Sequence, residues 1–96
     1  MIFNSTSTVT IDSPEVEKAY QSIFVKEIIL HNDNVNTFDH VISCLMDFCN
    51  HHPLQAEQCA ILVHYNGQCS VKSGNLKEIK PIYEALLENN LTVEIK

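Results

Sequence analysis

Apolar residues at positions 38, 41, 42, 45, 46 and 49 recur at intervals of three and four, and this pattern constrains the chain most. Such spacing lines one face of an α-helix; a strand alternates its faces every second residue. A helix with one apolar stripe must bury it against another element. The preceding segment suggests which. Phe24-Val25-Lys26-Glu27-Ile28-Ile29-Leu30 is rich in β-formers and ends in the turn formers His31-Asn32-Asp33-Asn34, so it reads as a strand running into a loop. Between strand and helix, Asn36 is placed to cap the helix, with Asp39 at N3 reaching back as in a capping box.

His51-His52-Pro53 stops this helix, and the proline suits the first position of the next. There Ala56, Cys59, Ala60 and Val63 form an inner face, and Asn66-Gly67 ends the helix with a left-handed cap. Residues 67–72 follow as a second strand on the alternation of Cys69 and Val71, and Ser73-Gly74-Asn75 turns the chain. A third helix spans 76–89, with Leu76, Ile79, Ile82, Tyr83, Leu86 and Leu87 inward. Pro81 leaves two ways to begin it: a short turn before a proper start near the proline, or one helix kinked there. Asn89-Asn90 closes that helix, and Leu91-Thr92-Val93-Glu94-Ile95 alternates as the last strand. The order β-α-α-β-α-β in 96 residues defines an α+β fold. It is expected to be a single domain, a three-stranded antiparallel sheet with three helices packed on one face. Residues 1–22, Ser/Thr-rich and then acidic, are expected to form a flexible N-terminal arm, with Val9-Thr10-Ile11 as a short strand in the alternative; the folded domain runs from 23 to 96.

Composition removes several classes of function. The chain carries a net charge of −6, and its six cations are all lysine. Without arginine it lacks the planar fork that reads phosphates and guanines, and an acidic chain is a poor partner for nucleic acid. The longest apolar run, Cys59-Ala60-Ile61-Leu62-Val63, is far short of the ~20 residues a spanning helix needs, so no membrane role is expected. Met1-Ile2-Phe3-Asn4-Ser5-Thr6 has neither the basic nor the apolar region of a secretory signal, and a cytoplasmic location is expected. Cys44, Cys49, Cys59 and Cys69 then read as reduced thiols in core positions. No CxxC pair occurs, and the spacings His40/Cys44 and Cys44/Cys49 fit no known ligand framework, so neither a metal nor another cofactor is expected. Nor is an enzyme. No phosphate loop, dinucleotide fingerprint or paired-carboxylate motif is present. The pair Cys59 and His64 suggests thiol chemistry only until Cys59 is seen to fall on the inner stripe, where a thiol is inert.

Leu30-His31-Asn32-Asp33-Asn34, then Val41-Ile42, then Val63-His64-Tyr65-Asn66-Gly67 resemble, in order and separation, the ClpS family of Clp protease adaptors over residues 24–96. Taken singly, each run has an ordinary reading. Asn32-Asp33-Asn34 is an Asx turn, His64 a residue favoured near a helix C-terminus by the dipole, and Val41 and Val63 are core. The resemblance implies a non-enzymatic, monomeric adaptor that binds the free N-terminus of proteins beginning with Phe, Leu, Tyr or Trp. It implies delivery of those proteins to a ClpA- or ClpC-type unfoldase, with the arm at 1–22 as a flexible handle.

Carried onto this sequence, the resemblance implies that Asn32, Asp33 and His64 contact the α-amino group and first peptide unit, with Asn34 and Asn36 beside them. It implies an apolar pit walled by Phe38, Val41, Ala60, Val63 and Leu91. The chain departs from the family pattern in places. Asn36-Thr37 stands where Thr-Pro is common, Asn34 replaces a second aspartate, and Lys77 lies where an acidic residue often contacts the ATPase. Phe38 and Ala60 each replace a pocket methionine and read as compensating, one narrowing the mouth and the other enlarging the pit. The alternative is an interaction module on the same fold that modulates a Clp ATPase, or another partner, without reading N-termini.

Overall fold

The structure, a computed structural model, describes residues 25–96. The arm expected at 1–22, its alternative strand at 9–11 and the first residue of the expected strand at 24 lie outside the described residues. In chain order the elements are β1 (Lys26–His31), α1 (Phe38–Phe48), α2 (Pro53–Asn66), β2 (Gln68–Gly74), α3 (Leu76–Glu88) and β3 (Val93–Ile95). This is the expected order.

β1 is the middle strand, pairing antiparallel with β2 on one side and β3 on the other. Its alternation decides what packs where. Ile28 and Leu30 are 0% and 1% exposed, and Val71 and Val93 join them from the flanking strands. Against this face lie Cys44, Leu45 and Cys49 at α1, Ala56, Cys59 and Val63 of α2, and Ile79 and Leu86 of α3, in one continuous core. The other face is polar around Ile29, which sits in register between Ser70 and Glu94. There Ser70 Oγ donates to Glu27 Oε1 at 3.1 Å, and His31 pairs with Glu94, whose carboxyl that hydrogen bond holds below its ordinary range.

Every helix begins on a side-chain acceptor. Thr37 Oγ1 accepts from the His40 N–H at 3.1 Å, His52 Nδ1 from the Leu54 N–H at 3.4 Å, and Asn75 Oδ1 from the Glu78 N–H at 2.9 Å. The chain leaves the helices through Asn50 (φ 58°), Gly67 (φ 91°) and Asn90 (φ 67°), residue types that tolerate the left-handed conformation. The cap of α1 corrects the sequence expectation. Thr37 takes the position assigned to Asn36, so Asp39 sits at N2 and no capping box forms. The reason is orientation: the Asn36 amide nitrogen, donating to Asp33 and to the Asn90 carbonyl, holds that side chain toward the loop and the turn before β3 and away from the helix start.

The helical faces also shift at their margins. Met46 is 38% exposed, whereas Cys44 and Phe48 turn inward. A step of one residue is about 100° around a helix, which carries Met46 out of a stripe centred on Leu45. α3 runs unbroken through Pro81, with Leu76 and Leu87 exposed and Ile79, Ile82, Tyr83 and Leu86 toward the core. The proline removes the N–H that would otherwise bond the Lys77 carbonyl. β2 extends to Gly74, and the final strand is confined to Val93–Ile95.

The β1–β2 register slips between Ile28, opposite Lys72, and Ile29, opposite Ser70, which leaves Val71 as the extra residue of a bulge. His51 reads in the sequence only as part of a helix stop, yet it is 7% exposed and its Nε2 donates to the Val71 carbonyl at 2.7 Å. Replacing it by phenylalanine keeps the bulk and removes the donor. His51→Phe is expected to lower the unfolding free energy by about 1–3 kcal/mol in urea titrations, the cost of a buried carbonyl without its partner.

Candidate functional site

Where β1 ends, the Asn32 N–H donates to the Gly67 carbonyl at 2.9 Å, which ties the following loop to the end of α2. The loop then folds around one carboxylate. Asp33 Oδ1 accepts from the Val35 and Asn36 N–H groups at 2.9 and 2.8 Å. Its Oδ2 accepts from Asn36 Nδ2 at 2.7 Å and from Thr92 Oγ1 at 3.2 Å. This is the Asx turn that Asn32-Asp33-Asn34 suggests by itself, closed by a donor from outside the loop. Burial acts to raise the Asp33 pKa, but the bonds from Asn36, Val35 and Thr92 outweigh it and hold the carboxyl below its ordinary value. Asp33 is an anion at neutral pH with its lone pairs already engaged.

This loop, the start of α1 and the last turns of α2 enclose a cavity of about 250 Å³. Asn32, Asp33, Asn34, Asn36, Thr37, Phe38, Val41, Ala60, Val63 and His64 line it. The structure thus brings together every residue the sequence singled out for a site except Leu91. That side chain is 3% exposed and packs in the core, because its N–H bonds back to the Leu86 carbonyl and folds it under α3. Thr37 lines the cavity without having been singled out for it. Its signal in the sequence is the hydroxyl beside Asn36, a rival for the cap.

The cavity has two characters. Val41, Ala60 and Val63 give an apolar floor, with Ala60 and Val63 4% and 6% exposed, and Phe38 stands at the edge, 43% exposed. The other side carries Asn32 and His64, whose side chains have no hydrogen-bond partner among the described residues. The His64 ring is held by aromatic contacts instead. Phe38 lies 5.3 Å away, tilted by 55°, and Tyr65 lies 4.9 Å away, edge-on at 83°. Ala60, Val63 and His64 share a face of α2 through their spacings of three and four. His64 lies in the last turn of α2, so the negative end of the helix dipole and the Asp33 carboxylate both favour a cation here.

The cysteines do not join this cavity. Burial raises the thiol pKa of Cys49 to about 11 and that of Cys59 further, with Cys69 beside Cys59 adding to the shift. Both are therefore protonated, unreactive thiols at neutral pH. Among the described residues no group of three His, Cys, Asp or Glu side chains is arranged to hold a metal ion, and no helix is long and apolar enough to cross a membrane.

The architecture is thus a three-stranded sheet backed by three helices, with an apolar pit under a polar rim at one end. The chain belongs to the ClpS family: the family model for ATP-dependent Clp protease adaptor protein ClpS matches residues 25–93. It is 37% identical over 68 residues to the ATP-dependent Clp protease adapter protein ClpS of Thermosynechococcus vestitus, an alignment covering 70% of this chain and 72% of that protein. Its fold is similar to that of Agrobacterium tumefaciens ClpS2 bound to L-phenylalaninamide. The TM-score is 0.69 at 14% identity, covering 75% of this chain and 94% of that one.

The carboxylate network has a measurable signature. A carbon-13 titration of Asp33 is expected to give a pKa below the ordinary 3.8, moving back up in Asn36→Ala, which removes a side-chain donor. A lowered folded-state pKa contributes stability that is complete above the ordinary value and is lost as pH falls through the lowered one. Acid should therefore destabilise the wild type in that window, and Asn36→Ala less steeply.

Proposed function

We propose that this protein is a non-enzymatic adaptor that binds the free N-terminus of proteins beginning with a large hydrophobic residue and passes them to a Clp ATPase. The observation that carries this reading is the meeting, in one cavity, of an apolar floor with an ionised carboxylate and two polar side chains, Asn32 and His64, without hydrogen-bond partners among the described residues. A protein N-terminus offers the complement: an ammonium, and one bond away the carbon that bears the first side chain. Few other groups place a cation and a large apolar group so close together. The ligand of Agrobacterium tumefaciens ClpS2, L-phenylalaninamide, has this pairing of free amine and aromatic ring, which supports the reading.

The roles divide by what each atom has left to offer. Asn32 presents a carbonyl oxygen and an amide, and His64 a ring nitrogen, so both can accept from the ammonium, directly or through water. Asp33 acts through its charge, since four donors already occupy its oxygens. Asn34 and Asn36 complete the polar rim. Val41, Ala60 and Val63 receive the first side chain, with Phe38 across the mouth. Burying that side chain contributes roughly 1.5–3 kcal/mol, short of the ~4.1 kcal/mol of even millimolar binding. Charge-assisted hydrogen bonds contribute about 1.5–3 kcal/mol each, so useful affinity requires the free amine as well as the side chain.

Fluorescence anisotropy with a labelled peptide beginning with Phe tests this reading. The free peptide is expected to bind with micromolar or tighter affinity, and the N-acetylated peptide and one beginning with Ser to bind at least tenfold more weakly. Asp33→Ala should abolish binding. Equal binding of the free and acetylated peptides would instead establish an interaction module that does not read N-termini. The gate makes a separate prediction: Phe38→Met should change the order of preference among Phe, Tyr, Leu and Trp. An unchanged order would mean that Phe38 does not select the first side chain.

A further inference from the structure

Three of the four donors to Asp33 come from its own loop, namely the Val35 N–H, the Asn36 N–H and Asn36 Nδ2. A loop closed only on itself can swing as a unit, so its position must be set by ties to the body of the protein. One tie is the Asn32 N–H to the Gly67 carbonyl. The others converge from the turn between α3 and β3. Asn36 Nδ2 donates to the Asn90 carbonyl at 2.8 Å, His40 Nε2 to the Asn89 carbonyl at 2.8 Å, and Thr92 Oγ1 to Asp33 Oδ2 at 3.2 Å.

We propose that Thr92 is a positioning residue for N-terminal recognition, its hydroxyl holding the Asp33 carboxylate at the cavity rim without itself touching ligand. The inference rests on the N-terminal reading above and adds to it a residue outside the cavity lining. Thr92 is well placed to act as a fixed point. Its neighbours Leu91 and Val93 are 3% and 8% exposed, anchored in the core on either side of it. Its own carbonyl accepts the His31 N–H at 2.8 Å, one residue before the recognition loop begins. The Thr92 hydroxyl therefore ties the carboxylate itself to a rigid segment, whereas the Val35 and Asn36 N–H donors belong to the loop and move with it. Asp33 acts by charge, and charge acts by distance, so a carboxylate free to swing toward solvent loses its hold on the ammonium.

Anisotropy on the full chain tests this with Thr92→Val, which keeps the shape and loses the donor, and Thr92→Ser, which restores the hydroxyl. Thr92→Val is expected to weaken the free Phe peptide about three- to tenfold, less than the roughly tenfold or more of a charge-assisted bond lost to the ligand itself because Thr92 acts through Asp33, while Thr92→Ser stays within about twofold of wild type. In nitrogen-15 spectra without ligand, the Val35 and Asn36 amides, which donate to Asp33 Oδ1, should shift in Thr92→Val and return in Thr92→Ser. Wild-type affinity in Thr92→Val, or equal weakness in Thr92→Ser, would overturn the assignment. If the wild type binds no free Phe terminus, the N-terminal reading falls. The amides alone then decide whether Thr92 positions Asp33, and unmoved Val35 and Asn36 signals overturn that too.

Discussion

The pairing of β1 with strands on both sides is the constraint on which the rest of this structure depends. As the middle strand, β1 presents Ile28 and Leu30 to the helices and fixes the sheet they cover. Its last residue also fixes where the following loop starts. The Asn32 N–H reaches the carbonyl that follows α2, and the His31 N–H reaches the carbonyl of Thr92. One strand end thus gathers the loop, the C-terminus of α2 and the start of β3 at a single point. The cavity is a consequence of that convergence. Its apolar floor comes from α1 and α2, and the charge at its rim from the loop; neither element alone makes a site.

An aspartate at such a rim can serve a cation in two ways, and the geometry separates them. A carboxylate with free lone pairs accepts hydrogen bonds from the ligand directly. Asp33 has spent its lone pairs on holding the loop, yet the same bonds lower its pKa and keep it charged. The organising role and the electrostatic role therefore reinforce one another. On the proposed reading, direct acceptance falls to Asn32 and to His64, whose ring Phe38 and Tyr65 already orient.

Much of the fold was legible because periodicity and caps agreed. The inner face of α2 at Ala56, Cys59, Ala60 and Val63, the proline at its start and Gly67 at its end are all where the spacing puts them. The residues that line the cavity were legible as a set through the family resemblance, since each alone reads as a turn, a cap or core. What the sequence hid follows from competition between neighbours. Asn36 and Thr37 both make good caps, and only the tertiary partners of Asn36, which are Asp33 and Asn90, give the cap to Thr37. Leu91 fits a wall position in a linear alignment, but the left-handed turn at Asn90 directs it into the core. Thr92 could not be singled out at all: its partner is 59 positions away, and alternation says only that it faces outward.

The two departures inside the cavity are best understood through size and stacking together. An alanine at position 60 leaves room above the floor that a longer side chain would fill, because the buried backbone of α2 cannot move in to close it. Phe38 does not reach down to occupy that room; it is partly exposed and packs against the His64 ring. The substitution at 38 therefore does two things a methionine does with less definition: it narrows the mouth, and it orients a histidine whose side chain has no hydrogen-bond partner among the described residues. Methionine has three rotatable bonds and adapts its shape, whereas a phenylalanine ring held against an imidazole keeps its place.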